Sequence, residues 1–346
     1  MSGGLEQRLT RAWYQGSRWL ILLRPLSLLF GWLARRRRQR YLADPQRVWQ
    51  PPVPLIVVGN ITVGGTGKTP MVVWLVDYLQ QRGLRPGVIS RGYGGKPPQL
   101  PWRVDAQRDS AERCGDEPLL VARRCGVPVV VDPQRVRAAR FLLEQQPVDV
   151  LISDDGLQHY ALGRSLEIVM LDHQRGLGNR RCLPEGPLRE PPQRLQENVL
   201  CVRTGAMQDS ADGFAMPLRA RLLVNLQTGE QRELVSWDQS EVVALAGIGN
   251  PQRFFDSLIA AGLHPECHAF ADHARYDAAL LDQLDNGRPL LMTEKDAVKC
   301  LAFARDNWWY LRIDGEPGAA FVAALEARLM LADVTPRPDS GEADGP

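Results

Sequence analysis

The sequence predicts an α/β protein with two domains, the larger of which has a parallel sheet. From Pro51 onward, short apolar runs typical of buried strands, such as LIVVG, VPVVVD and VDVLIS, alternate with helical patterns such as MVVWLVDYLQQRG. This alternation favours parallel strands with helices on the sheet faces. With 346 residues the chain is long enough for two cores of ordinary size.

The strand and helix alternation is interrupted at 220–238. There, two short runs flank Thr228 and Gly229, a pair typical of a hairpin turn. The alternation then resumes through VVALAGIGN, RPLLMTEKDAV and WWYLRID, which indicates a smaller second α/β unit. We therefore expect five segments: a membrane-associated amphipathic segment at 1–45, a phosphate-binding domain at 46–219, a β-hairpin linker at 220–238, a smaller α/β domain at 239–332 and a disordered tail at 333–346.

Charge is unevenly distributed along the chain. The totals are 42 basic and 40 acidic residues, but the first fifty residues hold ten Arg against Glu6 and Asp44. This asymmetry predicts that the N-terminus meets an anionic surface, and we expect neither a nucleic acid partner nor an obligate protein partner. The six cysteines form no CxxC pair or metal-like cluster, which favours reduced thiols in a cytosolic protein.

The stretch SRWLILLRPLSLLFGWLARRRRQR has three interpretations. A signal peptide would need a small-residue cleavage site, and the Arg run at 35–38 opposes translocation. A spanning helix from Trp19 to Ala34 would measure roughly 24 Å, against a membrane core of about 30 Å, and would carry Arg24. The favoured interpretation is an amphipathic segment lying in the membrane interface.

In this favoured interpretation, Pro25 kinks the segment and three tryptophans, Trp13, Trp19 and Trp32, lie at headgroup depth. The Arg cluster then lies on anionic lipid. A buried helix of the globular core remains the alternative.

The stretch GNITVGGTGKTP lies between a strand-like run and a helical pattern. A Walker A loop reads G-x-x-x-x-G-K-[ST]: its backbone N–H groups wrap phosphates, its Lys reaches the terminal ones and its Ser/Thr binds Mg²⁺. Thr62 holds the place of the first glycine here, and an ordinary turn between strand and helix is the alternative. The predicted nucleotide-binding residues are Thr62, Val63, Gly64, Gly65, Thr66, Gly67, Lys68 and Thr69.

The nucleotide is expected to be ATP. A guanine-binding N/T-K-x-D motif is missing, since in the nearest candidate Lys295 directly precedes Asp296. A GGxGKT core also occurs in ParA/MinD-type ATPases, in which a signature Lys precedes the two glycines. That position is Val63 in this chain, although a membrane-bound ATPase switch of this type remains the alternative function.

Three acidic elements are candidates for the chemistry. Asp154 and Asp155 follow the strand-like run VLIS, where a carboxylate is placed like a Walker B Asp beside Mg²⁺; an exposed turn is the alternative. The acidic turn GDEP at 115–118 fits either a helix N-terminus or a site. Asp272 and His273 form a carboxylate–imidazole pair, although a lone histidine is more often structural.

Taken in order, the motifs GNITVGGTGKTP, SRGYGG, GDEP, DDGLQH, PEGPLREP, GIGNPQRFF, FADHARY and MTEKDAVK closely resemble those of the lipid A 4′-kinase family, tetraacyldisaccharide 4′-kinase, from about Val53 to about Lys299. The resemblance implies a P-loop NTPase-like fold and transfer of the ATP γ-phosphoryl group to the 4′-hydroxyl of a tetraacylated glucosamine disaccharide 1-phosphate. It also implies a peripheral location on the cytoplasmic face of the inner membrane. Glu185 departs from the family pattern, which usually has a small residue there.

The resemblance also implies roles for single residues. Lys68 would hold the β- and γ-phosphates, and Thr69, Asp154 and Glu117 would bind Mg²⁺. Asp116 would take the proton of the acceptor hydroxyl, with His273 reaching across from the second domain to orient it. The remaining assignments are Asp155, Gln158 and His159 as support beside the Mg²⁺ site, and Tyr93, Arg135 and Arg189 as ligands of the lipid headgroup.

Overall fold

A computed structural model of the chain describes residues 3–284 and 287–329. Its helices are α1 Gly3–Gln15, α2 Arg24–Leu42, α3 Lys68–Gln81, α4 Ala111–Cys114, α5 Asp116–Cys125, α6 Arg135–Gln145, α7 Pro251–Ala260, α8 Ala278–Asp282, α9 Glu294–Cys300 and α10 Ala319–Leu329. Its strands are β1 Leu55–Gly59, β2 Pro86–Ser90, β3 Trp102–Arg103, β4 Val129–Val131, β5 Val150–Asp154, β6 Leu166–Asp172, β7 Leu200–Thr204, β8 Phe214–Met216, β9 Leu218–Asn225, β10 Gln231–Glu233, β11 Glu241–Ala246, β12 His264–Ala269, β13 Leu290–Thr293 and β14 Trp308–Gly315. The predicted tail at 333–346 lies outside the described residues.

The chain divides into two compact units whose bounds differ from those of the predicted segments. The second unit consists of Gly92–Gly126 and Leu218–Gly315, so the stretch containing GDEP belongs with the C-terminal strands and not with the phosphate-binding domain. Residues 316–329, which include α10, belong to the first unit, together with the described residues up to Arg91 and Val127–Pro217.

The first unit is built on a parallel sheet, as predicted. Its strands run in the order β4-β2-β5-β1-β6-β7-β8, and every neighbouring pair is parallel. Strands β1, β2 and β5 are buried along their whole length, which explains their continuous apolar sequences, since helices cover both faces of such sheets. Because β1 and β5 are neighbours with Val58 opposite Asp154, their carboxyl ends meet at one edge of the sheet.

The second unit has a mixed sheet in the order β10-β9-β14-β13-β11-β12. Strands β12, β11, β13 and β14 are parallel neighbours, whereas β9 pairs antiparallel with both β14 and β10. The predicted hairpin therefore exists, but it is the edge of this sheet and not a linker. On one side of this unit, α5 packs against α9.

The N-terminal segment is two helices joined by a short 3-10 turn at Arg18–Leu23. Pro25 lies in the first turn of α2 and does not kink a longer helix, because a proline is accommodated where no backbone N–H is needed. Among the residues that the structure describes, no helix is both long and apolar enough to cross a bilayer.

Two of the three tryptophans in this segment are exposed. Trp19 and Trp32 are 48% and 52% exposed, and aliphatic neighbours are exposed with them, for example Leu22 at 78%. Trp13 does not fit the interfacial interpretation, because it is 7% exposed and packs with Ala12 and other residues of the first unit.

Candidate active site

The phosphate loop, residues 60–67, connects the end of β1 to the start of α3. Gly64 and Gly67 have φ values of +98° and +75°, a left-handed conformation that favours glycine. Gly67 is restricted further, because a Cβ there would lie 2.4 Å from the Cγ2 of Thr204. Thr62, which replaces the first glycine of the Walker pattern, is buried and forms an antiparallel bridge with Leu188, a strand-like geometry that suits a β-branched residue.

Two buried polar atoms in and beside this loop fit a bound phosphate and its hydrated metal ion. Thr66 Oγ1 and Asn60 Oδ1 are buried without a hydrogen-bond partner among the described residues. Buried polar atoms of this kind are costly unless a ligand or water satisfies them. The loop also ends at the N-terminus of the 14-residue helix α3, where backbone N–H groups and the helix dipole favour an anion.

Lys68 and Arg189 share one carboxylate partner, Asp155. Lys68 Nζ lies 3.6 Å from Asp155 Oδ1, and Arg189 Nη1 lies 3.3 Å from both carboxylate oxygens. Burial by itself raises the pKa of Asp155, but the charges of Lys68 and Arg189 outweigh burial and hold this pKa below its usual range. The ionised Asp155 therefore holds two cations beside the phosphate loop.

Asp154 is the last residue of β5 and is buried. Ser90 Oγ donates to its Oδ2 at 3.2 Å. In the described part of the chain, no cluster of three or more His, Cys, Asp or Glu side chains could bind a metal ion alone. Mg²⁺ is usually held by one or two carboxylates together with waters and substrate phosphates. Asp154 and Thr69, in the first turn of α3, have the oxygen ligands for such a site.

The turn after β5 is tied to the start of the phosphate loop. Gln158 Nε2 donates to Glu190 Oε1 at 2.7 Å and to the carbonyl oxygen of Asn60 at 3.4 Å. Burial, followed by the charges of Arg135 and Arg37, lowers the pKa of His159 to about 4, so this imidazole is neutral at pH 7. Glu190 is 2% exposed and was missed by the sequence analysis, although it directly follows Arg189 in the PEGPLREP motif.

Arg135 does not fit the predicted role of a headgroup ligand. It is only 2% exposed, and its guanidinium donates to the backbone oxygens of Asp132 at 2.8 Å and Asp154 at 3.1 Å. Burial lowers its pKa to about 10, so the side chain still carries its charge at pH 7. We conclude that Arg135 holds the end of β5 in place.

Asp116 and His273 are in direct contact within the second unit, so His273 does not reach across from another domain. His273 Nδ1 lies 3.0 Å from Asp116 Oδ2, and Lys299 Nζ lies 3.6 Å from the same oxygen. Burial raises the pKa of Asp116, but the hydrogen bond to His273 and the charges of Lys299 and Lys295 lower it further than burial raises it. Asp116 is therefore ionised at neutral pH.

Lys295 contacts the other ring nitrogen of this histidine. Its Nζ lies 3.4 Å from His273 Nε2, 3.2 Å from Asp272 Oδ1 and 3.5 Å from Glu117 Oε1. An ammonium can only donate, so this contact makes Nε2 the acceptor and places the imidazole proton on Nδ1, facing Asp116. Glu117, predicted as a metal ligand, has an ammonium as its neighbour within this unit.

Two lysines of α9 are site residues that the sequence analysis missed. Lys295 and Lys299 are one helical turn apart, so both project from one side of the helix. A signal was available, since the whole chain contains Lys at only four positions. Tyr93, predicted to bind the headgroup, is 60% exposed, and its ring centroid lies 4.9 Å from that of His273.

Comparison with known proteins gives consistent matches over nearly the whole chain. The family model described as LpxK, tetraacyldisaccharide-1-P 4′-kinase, matches residues 19–330. A tetraacyldisaccharide 4′-kinase from Pseudomonas fluorescens is 56% identical over 327 residues, or 94% of this chain and 97% of the relative. One from Stutzerimonas stutzeri is 53% identical over 326 residues, again 94% of this chain and 97% of the relative.

A solved structure is similar to both the fold and the sequence. It is the crystal structure of LpxK from Aquifex aeolicus in complex with ATP, which has a TM-score of 0.74 and 28% identity to this chain. The similarity covers 90% of this chain and 99% of that protein. Together with the parallel sheet of the first unit, this match confirms the predicted P-loop NTPase-like α/β fold.

Proposed function

Because this chain belongs to the tetraacyldisaccharide-1-P 4′-kinase family, we propose that it transfers the γ-phosphoryl group of ATP to the 4′-hydroxyl of a tetraacylated glucosamine disaccharide 1-phosphate. The observation that carries the proposal is the phosphate loop, with Lys68 held beside it by an ionised Asp155. A cation fixed at this place can bind the β- and γ-phosphates and stabilise the charge of the transferring group. Arg189, predicted above as a ligand of the lipid headgroup, is also held by Asp155, and we propose it instead as a second cation for the phosphates.

Asp154 and Thr69 are proposed to hold Mg²⁺. Bound by these residues, Mg²⁺ would supply positive charge next to the phosphates of the nucleotide. Ser90 orients the Asp154 carboxylate through its hydrogen bond, and Arg135 fixes the backbone of the same residue from the other side. A carboxylate held in this way needs little rearrangement to accept a metal ion.

Asp116 is proposed as the base. During transfer, a bond forms between the 4′-oxygen and the γ-phosphorus, the bond from that phosphorus to the β–γ bridging oxygen breaks, and the hydroxyl proton passes to the Asp116 carboxylate. His273 and Lys299 both contact Oδ2, so Oδ1 is the oxygen left for the substrate proton. His273 Nδ1 donates to the ionised Asp116 and keeps this carboxylate in one orientation.

The acceptor is a lipid, and the exposed apolar residues of the N-terminal helices support membrane attachment. Ile21, Leu22, Leu26 and Leu29 are each more than half exposed, and Arg residues follow them at 35–38. Apolar side chains of this kind insert at the level of the headgroups, while the Arg residues bind anionic lipid. We place the protein on the cytoplasmic face of the inner membrane, where its substrate ATP is available.

The test is phosphoryl transfer itself. The purified protein would be incubated with Mg²⁺, γ-labelled ATP and tetraacyldisaccharide 1-phosphate in mixed micelles, and label in the lipid fraction would be measured. We expect ATP-dependent labelling at the 4′ position. Lys68→Ala is the matched control and should label no lipid. ATP hydrolysis that proceeds equally well without the lipid, and labels none of it, would contradict the proposal and favour the ParA/MinD-type switch.

A further inference from the structure

The loop of residues 182–190, called here the bridging loop, contacts the phosphate loop through its backbone. Residues 61–63 pair with residues 187–189 through an antiparallel bridge and two backbone hydrogen bonds of 2.8 and 2.6 Å. Backbone pairing of this kind fixes both distance and register. The conformation of the phosphate loop therefore depends on where the bridging loop lies.

The opposite side of the bridging loop is held by the N-terminal helices. The indole N–H of Trp13 in α1 donates to the carbonyl oxygen of Pro184 at 3.0 Å. The hydroxyl of Ser27 in α2 donates to the carbonyl oxygen of Cys182 at 2.7 Å, and this bond is buried. Both helices thus bind the backbone of the bridging loop directly.

An ion pair also joins α2 to the bridging loop. The Arg24 guanidinium donates to Glu185 Oε1 at 2.9 and 3.1 Å, and Glu185 is 4% exposed. A buried carboxylate is costly without a partner, so Arg24 compensates a charge that the fold has placed inside.

The bridging loop also determines where two functional side chains lie. Arg189, near its end, contacts Asp155, which in turn contacts Lys68. Val63 of the phosphate loop packs against a cluster that contains Trp13. The helices that carry the exposed apolar residues therefore reach the phosphate loop both through the bridging loop and by direct packing.

We propose that Arg24 and Glu185 are positioning residues for nucleotide binding: their ion pair holds α2 on the bridging loop, and the bridging loop holds the phosphate loop and Arg189. The inference rests on the proposed binding of ATP at the phosphate loop. It makes the N-terminal helices a part of the nucleotide site in addition to their role at the membrane.

The experiment measures nucleotide binding in the full-length chain without the lipid acceptor. Fluorescent N-methylanthraniloyl-ATP with Mg²⁺ is titrated into the wild type, Arg24→Ala, Glu185→Ala and the double variant, and the KM for ATP and kcat are measured separately. We expect Kd and KM to rise about 10-fold in each single variant, since small misplacements of binding groups have effects of this size or larger. We expect kcat at saturating ATP to change less.

Three comparisons separate positioning from general destabilisation. Arg24→Lys keeps the charge and should bind nucleotide like the wild type, while Arg40→Ala removes an exposed charge from the same helix and should have no effect. The double variant should be no weaker than the worse single variant, within about twofold, because both substitutions break one interaction. Unfolding temperatures identify any variant whose binding loss reflects unfolding.

An unchanged Kd in Glu185→Ala, or losses that multiply in the double variant, would overturn the inference. Weakened nucleotide binding in Arg24→Ala that Arg24→Lys does not recover would also overturn it. A wild type that binds nucleotide but phosphorylates no lipid would instead contradict the proposed function. The pattern of Kd values among the variants would then still decide the inference by itself.

Discussion

The first and second units both pair carboxylates with lysine, but the group proposed to contact a substrate is the cation in the first unit and the carboxylate in the second. In the first unit, the Asp155 carboxylate positions Lys68 and Arg189 through ion pairs, and these two cations are the groups that can bind phosphate. In the second unit the carboxylate is the group that is held, because the hydrogen bond to His273 and the charges of Lys299 and Lys295 keep Asp116 ionised. In the proposed function, similar ion pairs therefore serve opposite chemical needs: a fixed positive charge for the phosphoryl donor and an ionised carboxylate for the acceptor.

The largest expected effect tests the first half of this comparison. Lys68→Ala should lower turnover about 10³–10⁵-fold, the range known for cations that stabilise a transferring phosphoryl group. Turnover is measured at saturating ATP and Mg²⁺, so that weaker binding does not contribute. Lys96→Ala, which removes an exposed lysine of the second unit, is the control. Turnover of Lys68→Ala near that of the control would show that the site has been misplaced.

The second half of the comparison predicts a somewhat smaller loss. Asp116→Ala should lower kcat about 10²–10⁴-fold, the usual contribution of a positioned base, with little change in the KM for ATP. His273→Ala should act in the same direction. Because the two side chains touch at 3.0 Å, the double variant should be little worse than the worse single one. Losses that multiply would mean that the two residues act independently.

A third test separates the phosphate-handling residues of the first unit from its exposed helices. Leu22→Gln combined with Leu29→Gln should lower binding to phosphatidylglycerol vesicles roughly 10²–10⁴-fold, because each of the two leucines contributes about 1.5–3 kcal/mol when buried in lipid. Nucleotide binding should not change. Val235→Gln, which also replaces an exposed apolar residue with glutamine but lies in the second unit, is the control. Vesicle sedimentation equal to the wild type would exclude this apolar surface as the membrane contact.

Removing the whole N-terminal segment would be a poor substitute for these substitutions. Trp13 and its neighbours pack against Val63 of the phosphate loop. A truncated protein would therefore lose contacts at the nucleotide site as well as its exposed apolar surface. Substitutions on the exposed side alone keep the two effects apart.

A fourth test concerns the lysines of the second unit. Lys299→Met removes a positive charge 3.6 Å from Asp116, so the pKa of Asp116 should rise. The base is active only when ionised, so activity falls as pH falls through this pKa, and the acidic limb of the kcat profile should move to higher pH. At neutral pH we expect a loss of only a few fold. Lys299→Arg retains the charge and should keep the limb in place; an unshifted limb in Lys299→Met would argue against the proposed role of the lysine.

The smallest effect is on stability and belongs to the first unit. The pKa of His159 is about 4, below the value of about 6.5 in an unfolded chain, so the unfolded state binds the proton first as pH falls. Stability due to the neutral imidazole is fully present above about pH 6.5 and is lost towards pH 4, on the order of 2 kcal/mol by pH 5. Between pH 7 and pH 5, the unfolding temperature of His159→Gln should therefore fall by less than that of the wild type. The exposed His264→Gln should behave like the wild type.

Local features of the site were readable in the sequence, because each depends on neighbouring residues. Glycines at φ > 0 before Lys68, and a carboxylate directly after a buried strand, follow from short segments whose geometry is nearly fixed by composition. The parallel sheet followed from the continuous apolar runs of its strands. These predictions needed no knowledge of which distant segments meet.

The features that were not predicted all depend on contacts between segments that are far apart in the sequence. The sequence shows that Trp13 is aromatic and that Arg135 is basic, but only the fold shows that both are buried. The membership of Gly92–Gly126 in the second unit depends on packing of α5 against α9, and no local pattern marks it. For the same reason the contacts of Lys299 with Asp116 and of Lys295 with His273 were not predicted.

Each unit is built from segments that lie far apart in the chain, and this has a consequence during synthesis on the ribosome. Arg124, at the end of α5, pairs with Glu294 of α9, which is 170 residues further along the chain. At about 5–20 residues per second, α5 emerges roughly 10–30 s before the helix that covers it. The first unit waits even longer, since Phe321 of α10 completes an aromatic contact with Trp74. Neither unit can finish folding before α9 and α10 have left the ribosome, so nascent chains that stall after the first sheet should expose incomplete cores.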